Sequence, residues 1–140
     1  MKLRGSIYFQ GDKSISIRAI LFSMLSGAGS VLRNIPESRD VQAALKCIEA
    51  YGLRYDKESC RINQFKSDNT KMLDIYCDNS ATVARLSAGL LVGLNRKFVI
   101  RGDDSLSIRP MNRIIDPLNE MGVNLSSNQS MLPIYYNSIS

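Results

Sequence analysis

Three stretches of the chain set the same kinds of side chain at what read as helix starts. The first, GDKSISIRAI (Gly11 to Ile20), holds Asp12, Lys13 and Ser14, with Arg18 one turn beyond Ser14 on the same face. The second, DNSATVAR, holds Asn79, Ser80 and Thr82, with Arg85 a turn further in. The third, IRPMNR, puts Arg109 immediately before Pro110 and Arg113 one turn on. Backbone N–H groups at a helix start carry about half a positive charge, so a cation there is unfavourable by itself. A dipole, small hydroxyl or amide donors and a fixed cation acting together are what grips a phosphate or carboxylate. A bound anion therefore resolves the repulsion. Plainer readings stand beside this one. Ser14, Ser16 and Ser80 serve equally as N-caps, Lys13 as a solvated surface lysine, and Arg85 and Arg113 as ordinary structural or surface cations.

Arg18 carries the sharpest expectation. Ile15, Ile17, Ala19, Ile20, Leu21 and Phe22 make its helix apolar nearly all round, which predicts burial. An unpaired buried guanidinium is costly, so Arg18 needs a ligand anion, a carboxylate such as Asp40, or a route to the surface.

Composition narrows the chemistry further. The chain has no histidine, which excludes Ser–His–Asp and Cys–His catalysis and histidine metal sites within it. With 44% hydrophobic and 22% charged residues it reads as a soluble globular chain. A net charge of +5 favours anionic partners, yet no block of like charges forms a nucleic-acid tail. Apolar runs break well before the ~18 residues of a membrane span, and MKLRGSIYFQ alternates where a signal peptide would be continuously apolar. Cys47, Cys60 and Cys77 are odd in number and show no CxxC spacing. They fit a reducing, cytoplasmic setting and packing roles, and they argue against a disulfide framework or a zinc site.

The elements that must hold these groups follow from periodicity. LRGSIYF reads as a strand, SISIRAILFSMLSGA as a helix ending near Gly27 to Gly29, and SVLRNI as a strand. SRDVQAALKCIEAYG reads as an amphipathic helix with Ser38 as N-cap and Gly52 just past its end, followed by a hairpin of LRYDKE and CRINQF. Next come a strand LDIYC, a helix SATVARLSAGLLVGL and a strand KFVIRG. PMNRIIDPLNEMG reads as a helix with Pro110 in its first position, and VNLSS with MLPIYY as a closing strand pair. Pro117 inside that helix predicts a kink, a tightened turn or a break.

The two halves match each other. DKS at 12–14 corresponds to DNS at 78–80, and EAYG ending at Gly52 to NEMG ending at Gly122. The chain thus reads as α+β, with one βαβαββ unit over 1–68 and a second over 69–140, each incomplete alone.

The ordered motifs GDKSIS-x-R, ESRDV, DNSAT-x-x-R and RGDDSLSIRPMNRIIDPLNEMG resemble the 5-enolpyruvylshikimate-3-phosphate synthases from about Leu3 to Tyr136. The resemblance implies a shikimate-pathway transferase that moves the enolpyruvyl group of phosphoenolpyruvate to the 5-hydroxyl of shikimate-3-phosphate and releases phosphate. It also implies two lobes of three βαβαββ units, with helix starts facing the cleft between them. Carried over, Lys13 and Arg109 are the catalytic candidates: Lys13 contacts phosphoenolpyruvate, and Arg109 its phosphate or carboxylate. Ser14 and Arg18 hold shikimate-3-phosphate, Asn79 and Ala81 lie against phosphoenolpyruvate, and Asp40 and Arg85 support them. No metal or organic cofactor is implied. Ala81 stands where the family usually has glycine, which implies weak inhibition by glyphosate. The resemblance further implies that the third unit and the other lobe lie beyond Ser140, so this chain alone is expected to be inactive and to self-associate through an uncovered apolar flank, whereas the full enzyme is a monomer. Other classes compatible with the residues are an RNA-binding or RNA-end-processing module of related repeat fold and a non-catalytic anion-binding fragment. The first lacks aromatic residues interleaved with its basic helix starts.

Overall fold

The computed structural model describes residues 3–65, 68 and 70–137. Helix α1 spans Lys13–Ser26. Asp12 caps it, its carboxylate accepting the Ile15 N–H at 2.8 Å. Gly11 lies so close to the Asn34 carbonyl that a Cβ would sit 2.2 Å from that oxygen, and its N–H donates there at 3.0 Å. Only glycine fits this approach. Helix α2 spans Arg39–Tyr51, capped by Ser38, and ends at Gly52 in the left-handed region with φ 109°. Strands β1 (Leu53–Asp56) and β2 (Arg61–Gln64) form the hairpin expected there.

Strand β3 (Leu73–Tyr76) leads into α3 (Ala81–Gly93), capped by the Ser80 hydroxyl, and then into β4 (Phe98–Arg101) parallel to β3. A one-turn helix α4 (Asp104–Ser107), helix α5 (Asn112–Glu120) and the antiparallel strands β5 (Leu125–Asn128) and β6 (Met131–Tyr136) complete the chain. The sheet order is β3-β4-β6-β5. Helices α1, α2 and α3 pack together, and α2 also lies on β3. Ile17, Ile20 and Leu21 of α1, Val41 and Ile48 of α2, and Val83 and Leu91 of α3 join Ile75, Phe98 and Ile100 of the sheet in one buried cluster. The packing is α+β, as the sequence reading expects.

Several expectations are corrected. Residues 3–9 form no strand, and among the described residues no strand pairs with them. Tyr8 is 95% exposed, so alternation without a neighbouring strand buries nothing. SVLRNI shortens to a single bridge between Val31 and Arg61, bounded by the positive φ of Gly29 (101°) and Asn34 (59°), which break the extended backbone. Pro110 lies before α5 instead of opening it, because Met111 occupies the cap and Asn112 is the first helical residue. Helix α5 runs through Pro117, and its tightening falls at the C-terminal end, where the Gly122 N–H donates to the Asn119 carbonyl at 3.0 Å. The short helix α4 is not anticipated by periodicity, since four residues are too few to show it. Cys47 and Cys77 are core residues, as expected, whereas Cys60 is only partly buried at a turn with φ 56°.

Candidate functional site

The DKS and DNS triplets do not occupy equivalent cap positions. Asp12 caps α1, whereas Ser80, third in its triplet, caps α3. Lys13 is therefore the first residue of α1 and Ala81 the first of α3.

Lys13 meets an acid from the neighbouring helix. Its Nζ donates to Asp40 Oδ2 at 3.0 Å, with Asp40 in the first turn of α2. A carboxylate near that helix start is favoured by the dipole. The Asp40 carboxyl is held below the ordinary aspartate range, first by the side chain of Ser80, then by Lys13 and by the more distant charge of Arg109, against the opposing effect of partial burial. Ser80 is buried and accepts the Val83 N–H at 3.4 Å, so its own hydroxyl proton is available to Asp40. Asp40 thus joins the starts of α1 and α2, with Ser80 at the start of α3 close enough to favour its charged form.

On the other side of Ser80, Arg109 Nη2 donates to Asn79 Oδ1 at 2.9 Å. The Asn79 amide nitrogen in turn donates to both carboxylate oxygens of Asp103, at 3.2 and 3.1 Å. Asp103 also caps α4, accepting the Leu106 N–H at 2.7 Å, and this bond, Asn79 and the nearby Arg109 keep its carboxyl below the usual range. Gly102 allows this fold-back, because a Cβ there would lie 2.9 Å from the Leu106 Cβ. Arg85 reaches from α3 to the Pro110 carbonyl at 3.0 Å and so braces the residue that follows Arg109. Lys46 of α2 pairs with Asp78 at 3.0 Å, tying α2 to the turn that carries Asn79. An open cavity of about 510 Å³ lies alongside, walled in part by Arg39, Lys46, Asp78, Asn79 and Asp103.

Lys13, Asp40, Asn79, Ser80 and Arg109 are thus brought together, with Arg85 behind Arg109. Arg18 does not fulfil its expectation of burial: it is exposed, and its Nη1 donates to the Ser14 carbonyl at 3.0 Å. The apolar residues around it do not all face the core, since Ile15, Phe22 and Leu25 stay open to solvent. Ser14 is exposed and caps nothing. Asp40 serves Lys13, not Arg18. Arg113 is exposed and shares no hydrogen bond or ion pair with these groups among the described residues. The sequence reading misses Asp103, Asp78 and Lys46. The first of these had a legible signal, an aspartate three residues before an apolar residue in a new helical turn.

Among the described residues no cluster of three His, Cys, Asp or Glu is disposed to hold a metal ion, and no helix is long and apolar enough to cross a membrane.

A mixed α/β chain whose helix starts gather cations, hydroxyls and an amide has the donors and charges that suit a small anion. The EPSP synthase (3-phosphoshikimate 1-carboxyvinyltransferase) family model matches residues 1–139, and the chain belongs to that family. It is 39% identical over 130 residues to the 3-phosphoshikimate 1-carboxyvinyltransferase of Clostridium tetani, covering 90% of this chain and 30% of that protein. It is 38% identical to the enzyme of the same name from Endomicrobium trichonymphae, covering 93% of this chain and 32% of that one. The solved EPSP synthase of Acinetobacter baumannii superposes with a TM-score of 0.72 at 26% identity, over 95% of this chain and 32% of that structure. The chain therefore spans about 30% of the length of the curated relatives it matches.

Proposed function

We infer that this chain is the N-terminal part of an enzyme that transfers the enolpyruvyl group of phosphoenolpyruvate to the 5-hydroxyl of shikimate-3-phosphate, and that it supplies one wall of the anion site. The observation that carries the reading is the meeting of Lys13, Asp40, Ser80, Asn79 and Arg109 across the starts of α1, α2 and α3. In this reading Lys13 and Arg109 contact phosphoenolpyruvate, Ser14 and Arg18 hold shikimate-3-phosphate, and Asn79 and Ala81 line the phosphoenolpyruvate side. Asp40 aligns Lys13, and Arg85 braces Arg109 from behind. Arg18 is suited to its role by the partner it has: a carbonyl leaves the guanidinium charge uncancelled. Arg109 is likewise bonded to a neutral amide, so its positive charge remains available.

The units 1–68 and 69–140 belong to the same reading, as do a cytoplasmic location, in keeping with three free cysteines, and a monomeric full enzyme. Closure of both walls of a cleft is what desolvates a reaction of this kind, so the chain alone binds anions without turning them over.

Calorimetric titration of the chain with phosphoenolpyruvate, shikimate-3-phosphate and a short RNA tests this. Saturable binding of the two small anions, weakened in Lys13→Met and Arg109→Ala, is the expected result. Binding of RNA alone, with a steep salt dependence, would replace the reading with a nucleic-acid module.

A further inference from the structure

We propose that Asp103 is a positioning residue for Arg109, acting through the Asn79 side chain. This rests on the anion-site reading for its functional meaning, but its geometry stands apart from any ligand. A carboxylate only accepts hydrogen bonds and a guanidinium only donates them, while a primary amide does one at each end. Asn79 lies between the two. With its nitrogen on Asp103 (3.2 and 3.1 Å) and its oxygen on Arg109 (2.9 Å), every contact joins donor to acceptor. Rotating the amide by half a turn would set oxygen against carboxylate and nitrogen against guanidinium. Asp103 thus selects the amide orientation that Arg109 requires.

Asp103 is itself well anchored. Its N–H donates to the Asp78 carbonyl at 2.9 Å, and its Oδ1 accepts the Leu106 N–H at 2.7 Å. The turn before α3 and the turn before α4 are therefore joined at this one residue by backbone and side chain. The intervening amide has a second effect. A direct Asp103–Arg109 pair would spend the guanidinium on an internal carboxylate, whereas the relay fixes the guanidinium and keeps the acid one side chain away.

Two substitutions separate positioning from capping. Asp103→Asn must still accept from Leu106 through its oxygen, which turns its own amide nitrogen towards that of Asn79. Asp103→Ser retains an α4 cap but is too short to hold Asn79. The chain carrying each change, with Arg109→Ala as reference, is titrated with phosphoenolpyruvate, and the Asn79 amide and Arg109 guanidinium signals are followed by NMR without ligand. Both Asp103 variants should bind at least about tenfold more weakly, the loss of one charge-assisted contact. The Asn79 and Arg109 signals should shift or broaden in both, while Asp103→Ser keeps the parent melting temperature. If Asp103→Ser binds like the parent while Arg109→Ala does not, Asp103 is a helix cap only and the proposal is overturned, with the anion site intact. If Arg109→Ala also binds normally, the anion-site reading fails. The ligand-free signals then decide: unperturbed Arg109 resonances in both Asp103 variants overturn the relay, and perturbed ones uphold it.

Discussion

Arg109 offers a direct test of the electrostatic reasoning. Of its five N–H donors one is spent on Asn79 Oδ1, at 2.9 Å, which leaves a pair able to grip a phosphate or carboxylate in parallel. Bonds to charged groups contribute about 1.5–3 kcal/mol each when desolvated, and the exposure of Arg109 in this chain puts each at the lower end. Arg109→Ala should therefore cost about 2–3 kcal/mol of phosphoenolpyruvate binding, roughly thirty- to a hundred-and-fortyfold in Kd. Arg109→Lys keeps the charge but not the planar fork, and should recover only part of this, staying about tenfold weaker than the parent. Calorimetry at low ionic strength on the parent, both variants and Arg54→Ala supplies the comparison. Arg54 pairs with Glu49 on the distant hairpin side, so its loss changes net charge without touching the site. If Arg109→Lys binds as tightly as the parent, or Arg54→Ala weakens binding as much as Arg109→Ala, specific gripping by a fixed guanidinium is wrong and bulk charge is the whole effect.

Other expectations concern the same elements. In a full-length enzyme carrying this segment, Ala81→Gly should raise glyphosate inhibition by roughly tenfold or more, since one methyl forced into a packed contact costs about 1–3 kcal/mol; equal inhibition constants for the two would remove the steric argument. Because the folded Asp40 carboxyl titrates below its ordinary value of 3.8, the unfolded chain binds its proton first on acidification. Its contribution is full above that value and is lost as pH falls through the lower folded one, so urea melts from pH 5 to 3 should show a shallower loss of stability in Asp40→Asn. An unchanged slope would mean that Asp40 is not held by Ser80 and Lys13. Ile15 (69% exposed), Phe22 (50%) and Leu25 (59%) make an apolar stripe on α1, so sedimentation should show self-association of the chain that Phe22→Lys reduces; a monomer at high concentration would contradict this.

What was legible in the sequence was chiefly local. Ser38 and Gly52 bound α2 where cap chemistry places them, and the βαβ run from Leu73 to Arg101 follows from periodicity. The failures at residues 3–9 and at Arg18 share one cause, which is dependence on a neighbour. Residues 3–9 alternate correctly but have no strand beside them among the described residues. The apolar circumference of α1 suggested that Arg18 would be enclosed, yet α2 and α3 cover only one side and the guanidinium settles on the Ser14 carbonyl. The pairing of Lys13 with Asp40 spans 27 residues, and the contact of Arg109 with Asn79 spans 30. No local pattern encodes such distances. The convergence of helix starts could be guessed because each start carried its own cation. The orientation of a single amide between Asp103 and Arg109 could not.

The shared interior has a consequence for how the chain is divided. Side chains before and after the midpoint interlock in a single apolar mass, with α1 against α3 and α2 against β3. The boundary expected near residue 68 therefore does not mark a joint about which the halves swing. Severed near residue 68, the pieces would remain clasped to one another, and neither would keep its shape by itself.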